Sequence, residues 1–338
     1  MRTRILAAGI IAAAAAALAP LAAQTRSAIP RAADGHPDLQ GTWTNATITP
    51  IERPTKYGDR LVLSAQEAKE LETAEFEANA ASDKPTDPNA KIQDLPTDCG
   101  RGFTGVNCGY NAFWVDPGTK LIDINGEKRT SIIVDPTNGR MPSIVPAAQA
   151  RVATRPRRAG RTDGPEGLSL GERCILSFGS SAGPPMLPLL YNNTYQIVQN
   201  KDTVNILVEM VHDVRTIRIG GEHLPRSIRK WMGDSIGHYE GDTLVVETDN
   251  FPEQQTVMRY PSENMKVIER FTRIAPNKIL YKFTVEDPTT LAQPVSGELA
   301  MNTSQGNLYE YACHEGNYAL PGILAGAREQ ERAAMEKK

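Results

Sequence analysis

From Tyr195 onward the chain reads as hairpin after hairpin with no helical pattern between them, and this restricts the fold more than any other feature. TYQIVQ turns at Asn200-Lys201-Asp202 into TVNILVEM, and DVRTIRI ends at Gly220-Gly221. GHY turns at Glu240-Gly241-Asp242 into TLVVET, and KVIERFTRI turns at Pro276-Asn277-Lys278 into ILYKFTVED. VSGELAM then turns near Gly306-Asn307 into LYEYACH. Regular turn residues between alternating β-formers predict an antiparallel meander. A meander this long disposes of its edge strands most economically by closing into a barrel, with a two-sheet sandwich as the alternative. Period-two alternation gives each strand two faces: Val204, Ile206, Val208 and Met210 oppose Asn205, Leu207 and Glu209. Ile279, Tyr281, Phe283 and Val285 likewise oppose Lys282, Thr284 and Glu286. A ligand-filled barrel would turn the polar faces inward, and a dry one would turn them to solvent.

The segment before the meander is less regular. DLQGTWTN gives a short strand, and Ser64 with Glu67 is a capping-box pair that opens a helix over about 65–80. YNAFWVD and RTSIIVDP are strand-like runs around the turn Asn125-Gly126, and residues 151–167 are the candidate linker. Residues 320–338 read as a C-terminal helix with a charged tail. The expected division is 1–23 a leader, 24–165 a strand, helix and loop region packed on the barrel, and 166–338 the barrel with its C-terminal helix.

The leader sets the expected address. Arg2 and Arg4 precede an Ala-rich apolar run from Ile5 to Leu21, and Ala22 and Ala23 offer a cleavage site. That run, roughly 17 residues, is at the lower limit for a bilayer span, and no other approaches it. The expectation is a cleaved signal peptide, a periplasmic or secreted product and no stable membrane insertion of the mature chain. Without the leader the formal charge moves from −3 to about −5, which gives no reason to expect a nucleic-acid partner. The cluster Arg151, Arg155, Arg157, Arg158 and Arg161 lacks interleaved aromatics for base stacking and reads as a solvated loop. Four cysteines suit an oxidising compartment. Cys99 with Cys108 would staple the loop CGRGFTGVNC, and Cys174 with Cys313 would tie the start of the second half to its end. No CxxC or HxxxH spacing supports zinc.

Several motifs together resemble a family of exported bacterial β-rich proteins: ERCILSFG, PPMLPLLYNNTYQIVQ, VEMVHDVRTIRIGGEHLP, WMGDSIGHYEGDTLVVETDNF and YEYACHEGNY among them. The resemblance runs from about Tyr110 to Arg328 and implies export and a single β-rich unit. That family carries no assigned activity, so no catalytic role transfers. Separately, Gly41-x-Trp43 ahead of a meander is similar to the entry strand of lipocalin-type barrels, which implies a lipocalin-like closure.

The candidate chemistry centres on two histidines. His212 follows a strand end with Glu209, Asp213 and Arg215 nearby, and a carboxylate beside a histidine fixes its tautomer and raises its basicity. His314, with Glu315 and Asn317, follows Cys313, so a Cys174–Cys313 bridge would bring it towards Arg173, Asn192 and Asn193. Each has a bland counterpart, a strand-end histidine bonding a turn carbonyl or a structural corner. Glu269, Arg270 and Arg215 could pair across strands on a solvated face; inside a barrel an arginine would select an anionic or carbonyl-bearing ligand. In WMGDSIGHYEGDTLVVETDN the second half is explained as hairpin and strand. Trp231, Asp234 and His238 form a candidate wall or lid. A metal site from Asp234, His238, Glu240 and Asp242 fits neither an EF-hand nor a zinc spacing, so no metal is assigned. P-loop and dinucleotide fingerprints are absent, which leaves no cofactor assigned. The serine loop of residues 178–183 lacks the G-x-S-x-G spacing and its strand–turn–helix setting.

The expected function is a small-molecule-handling barrel holding its ligand in the mouth or interior. One form is a metal-independent acid–base enzyme (lyase, isomerase or hydrolase), with His212 moving the proton and Arg215 and His314 steadying charge. The alternatives are a non-catalytic periplasmic carrier and a structural protein.

Overall fold

The computed structural model describes residues 29–82, 89, 91, 118–154, 162–177, 183–254, 256–257 and 260–337. The leader, Cys99 and Cys108, the run YNAFWVD, Arg155 to Arg161 and the serine loop of residues 178–182 lie outside them. In chain order the elements are β1 (Gly41–Thr44), α1 (Ala65–Ser82), β2 (Asp123–Ile124), β3 (Glu127–Lys128), β4 (Ile133–Asp135) and α2 (Pro146–Thr154). There follow β5 (Thr194–Gln199), β6 (Thr203–Val208), β7 (Val214–Ile219), β8 (Asp234–Glu240) and β9 (Thr243–Asp249). The chain closes with β10 (Thr256–Val257), β11 (Tyr260–Pro261), β12 (Lys266–Ala275), β13 (Lys278–Glu286), β14 (Val295–Thr303), α3 (Cys313–Gly316) and α4 (Ala319–Glu336).

Nine strands form a closed barrel in the order β1-β5-β6-β7-β8-β9-β12-β13-β14, with β14 returning to β1. The entry strand is therefore itself a stave: Trp43 lies opposite Tyr195 on one side and Thr303 on the other. The tight turns fall where the sequence places them. Gly241, at φ +58°, and Asp242 join β8 to β9, and Pro276-Asn277 joins β12 to β13. The Asn200 side chain accepts from the amides of Asp202 and Thr203 and so fixes the β5–β6 hairpin. At α1, the Ser64 amide donates to Glu67 and the Glu67 amide to Ser64 Oγ, which completes the capping box.

Alternation decides the question of the faces. Val204, Ile206, Val208, Ile279, Tyr281, Phe283 and Val285 are buried, with Trp43, Tyr195, Phe271, Leu299 and Met301, in one continuous cluster. The barrel interior is filled by side chains, and the polar faces turn outward. Burial of this apolar surface, at roughly 25 cal/mol per Å², is what holds the staves together.

Three expectations change. β7 and β8 pair in parallel, not antiparallel, through Ile217, Arg218 and Ile219. The connection from Gly220 to Gly233 is long enough to bring the chain back along the barrel, which a parallel pair requires. LYEYACH is not a strand. Both lateral edges of β14 are already taken, by β13 on one side and by β1 and β4 on the other, so the barrel offers this run no partner. It runs across the outside instead and ends in α3. Third, Arg151 does not lie in a loop: it is exposed but sits in α2 and bonds Thr289 O and Thr290 Oγ1. The Asn125-Gly126 turn does form, but its arms are the short β2 and β3. This region is held on the barrel by Arg129, whose Nε donates to Glu298 of β14 at 2.8 Å.

Candidate functional site

The polar residues sought by sequence fall into three separate places. The first is the barrel interior. Arg215 of β7 and Glu269 of β12 form a two-pronged ion pair there, Nη1 to Oε2 at 2.5 Å and Nη2 to Oε1 at 2.9 Å. Tyr281 donates to the same carboxylate at 2.8 Å. Its hydroxyl in turn accepts the Met186 amide at 2.9 Å. Gly183 to Leu187 are all buried, and Asn45 donates to both Met186 O and Tyr195 Oη. The Pro-rich loop is thus bonded to the inward polar cluster. Burial, reinforced by the Glu269 charge, pushes the Tyr281 hydroxyl well above the ordinary tyrosine range, so it stays a donor. Both ends of the Arg215 fork are spent on Glu269, which leaves it poorly placed to select a ligand.

The second place surrounds Asp234 at the start of β8. Its carboxylate is fully buried and accepts from Arg218 at 2.8 and 3.0 Å, Lys230 at 2.9 Å and the Leu224 amide at 3.0 Å. Burial alone would raise its pKa, but these donors outweigh it and hold the carboxyl far below the usual range. Asp234 is the clasp that fastens the long β7–β8 connection. Trp231 is 40% exposed, and His238 and Arg270 sit outside, each bonded to Glu240, at 3.3 and 2.6 Å.

The third place is a cleft of about 1210 Å³ on the outside of the barrel, where β5 begins and β6 ends. It is lined by Tyr191 to Thr194, by most of the strand-less run from Ser304 to Cys313, and by Asn317, Leu320 and Ile323. Glu209, Asn192, Asn193, Cys174 and Cys313 line it.

Local sequence explains each wall. Asn192 adopts φ +55°, a conformation its short polar side chain tolerates, and the Asn193 amide group bonds both the N–H and the C=O of Leu189. Ser169 and Glu172 bond each other reciprocally in a tight turn that presents Cys174. The Cys174–Cys313 bond, with Cα atoms 5.6 Å apart, then fastens that turn to the far wall. Asn317 reinforces it by donating to Glu172 O at 2.8 Å.

Glu209 sits on the cleft floor. It is 4% exposed; Oε1 accepts the Tyr309 amide at 3.1 Å and Oε2 the Thr194 amide at 3.3 Å. Directly after it, Val211 and His212 both have left-handed backbones, at φ +67° and +48°. For the β-branched Val211 this conformation costs on the order of 1–3 kcal/mol. The kink folds the chain back so that Val208 N–H reaches Asp213 O at 2.9 Å. His212 Nδ1 lies 3.2 Å from Tyr311 O, behind the cleft wall. Burial raises the Asp213 carboxyl, partly offset by His212. His314 is exposed on α3 and does not line the cleft. His212, Arg215 and His314 therefore do not converge: one stands behind a wall, one is inside the barrel and one faces solvent.

The cleft's aromatic residues are not marked as site residues by any sequence motif. Tyr191 and Tyr311 stack with ring centroids 6.5 Å apart and planes 16° from parallel, and Tyr309 lines the same cleft. Their presence in YNN and YEYACH was the available signal, but in a presumed strand alternate tyrosines look like ordinary face residues.

No protein-family model matches the chain, and no curated protein matches it. Among solved structures it is similar to a crystal structure of a mutant of the fluorescent protein UnaG, at 16% identity and a TM-score of 0.21. That match covers 33% of this chain and 72% of the other. Among the described residues no helix is long and apolar enough to cross a membrane.

Proposed function

We propose that this is an exported small-molecule-binding protein whose site is the cleft beside the barrel, not the barrel's interior. The observation that carries the reading is the cleft itself: about 1210 Å³, with walls from four separated segments fastened by one disulfide. Pockets for small organic ligands run from about 300 to 1,000 Å³ and combine apolar and aromatic walls with a few convergent polar groups. At about 1210 Å³ the cleft lies just above that range, and it has the described lining in its tyrosines, Leu320, Ile323 and Glu209. Binding without catalysis is favoured over acid–base chemistry because the presumed base, His212, and the presumed anion-stabilising Arg215 do not share it. Export is supported by the Arg2/Arg4 leader pattern, by the motif resemblance and by the Cys174–Cys313 bond.

The test is a thermal-shift screen of the purified protein against a library of small organic molecules, repeated on Ala312→Trp. Ala312 lines the cleft and is exposed, so an indole there fills space without disturbing the core. Compounds that stabilise the parent should fail to stabilise the variant. Equal shifts in both would place binding elsewhere and end the proposal.

A further inference from the structure

Resting on that reading of the cleft, we infer the chemical class of its ligand: an organic cation, an ammonium or guanidinium head joined to an apolar group. Among the described residues the lining carries three carboxylates, Glu172, Glu209 and Glu310, and no lysine, arginine or histidine. The charge that matters most is Glu209. Other buried carboxylates in the fold have cationic partners: Glu269 has Arg215, Glu298 has Arg129, and Asp234 has Arg218 and Lys230. Asp287 has none among the described residues, but it caps a turn through the Thr289 amide and hydroxyl. Glu209 is as buried as these, and among the described residues no lysine or arginine pairs with it.

Its two oxygens each take one amide N–H. A carboxylate offers about four acceptor positions, so two remain for a donor entering the cleft. In so screened a position a charged donor gains more than it would at the surface, because water competes less for the carboxylate.

The aromatic residues point the same way independently. The Tyr191 and Tyr311 rings, 6.5 Å apart and nearly parallel, line the cleft together with Tyr309. Aromatic faces attract a cation held within about 6 Å of the ring centre and repel an anion. Leu320, Ile323 and Ala319 at the rim supply an apolar surface for the rest of the molecule. An anionic ligand would meet like charge at the floor and the negative faces of the rings. A neutral ligand would leave the remaining acceptors of Glu209 without a charged donor.

Three matched probes test the class by calorimetric titration of the full-length protein: benzylammonium, benzyl alcohol and benzoate. Benzylammonium should bind at least tenfold more tightly than either of the others, and its affinity should fall with added salt. Glu209→Gln should weaken benzylammonium by about tenfold while leaving benzyl alcohol within a factor of two, since about 1.4 kcal/mol is lost with the charge. If Glu209→Gln does not fold, Glu310→Gln at the exposed rim should reduce benzylammonium binding and its salt sensitivity by a smaller factor. If benzyl alcohol or benzoate binds as tightly, and Ala312→Trp abolishes that binding, the cleft stands but the cationic class is overturned. If none of the three binds, both the class and the cleft reading fall.

Discussion

The Arg215 guanidinium and the Glu269 carboxylate, from strands three places apart round the barrel, meet in its interior with both prongs of the pair formed. Their side chains are 2% and 0% exposed, so neither charge recovers hydration if the other is removed. Arg215→Met or Glu269→Gln alone should each destabilise the fold by about 3–5 kcal/mol, because a buried unpaired charge or donor is left behind. The double substitution Arg215→Met/Glu269→Leu should cost markedly less than the sum of the single changes. Urea unfolding of the four proteins checks this. Additive losses would mean that the pair is not coupled.

The Cys174–Cys313 bond spans 139 residues. In the loop-entropy account, replacing both by serine should cost about 5 kcal/mol. The loss should appear first at the cleft, because the bond fastens its walls and not the barrel ladder. Far-UV circular dichroism of the Cys174→Ser/Cys313→Ser protein should stay close to that of the parent at moderate temperature, while binding of any cleft ligand is lost. Retained binding would show that the walls hold without the bond.

Asp234 makes stability depend on pH with a defined sign. Its folded carboxyl is held below the unfolded value, so its contribution is complete above about pH 4 and is lost as pH falls through the depressed folded value. Asp234→Asn should therefore be less stable than the parent by a constant margin, about 1–3 kcal/mol, between pH 5 and pH 8. The margin should narrow below about pH 4 as the parent's carboxylate takes up its proton. Denaturant midpoints across pH settle the matter; a margin that widens in acid would contradict the assignment.

Gly297 of β14 lies opposite Phe283 of β13, and a β-carbon built there would come 2.3 Å from the Phe283 ring and 3.0 Å from Ile132 O. Gly297→Ala should overpack the barrel wall where the N-terminal region docks and cost about 1–3 kcal/mol. Adding Phe283→Leu to Gly297→Ala should recover part of that loss. A neutral Gly297→Ala, measured by thermal unfolding, would mean that the wall yields more easily than its packing implies.

Much of the barrel was legible in the sequence because its instructions are local. Glu240-Gly241-Asp242 and Pro276-Asn277 specify turns within four residues, and the alternation in ILYKFTVED specifies a buried face within nine. The reciprocal Ser64 and Glu67 bonds follow from a spacing of three. The parallel β7–β8 pair was not legible, since strand direction depends on where a 14-residue connection returns, and no residue pattern marks it. The exposed course of LYEYACH was hidden for a related reason: its alternation suits a strand, but closure of the barrel had already used the edges of β14.

The sequence by itself determined the hairpins, the inward and outward faces, the capped first helix and a cysteine spacing suited to a long cross-link. Only the tertiary structure decided that Arg215 faces Glu269 in place of a ligand, that His212 and His314 stand apart, and that Glu209 shares a cleft with three tyrosines. The physical reason is range. Turn geometry and side-chain alternation act between near neighbours along the chain, whereas the cleft is assembled from Gly171–Cys174, Tyr191–Thr194, Glu209 and Ser304–Ile323. The stagger of the closed barrel and one disulfide bring those segments together, and neither acts between neighbours in sequence.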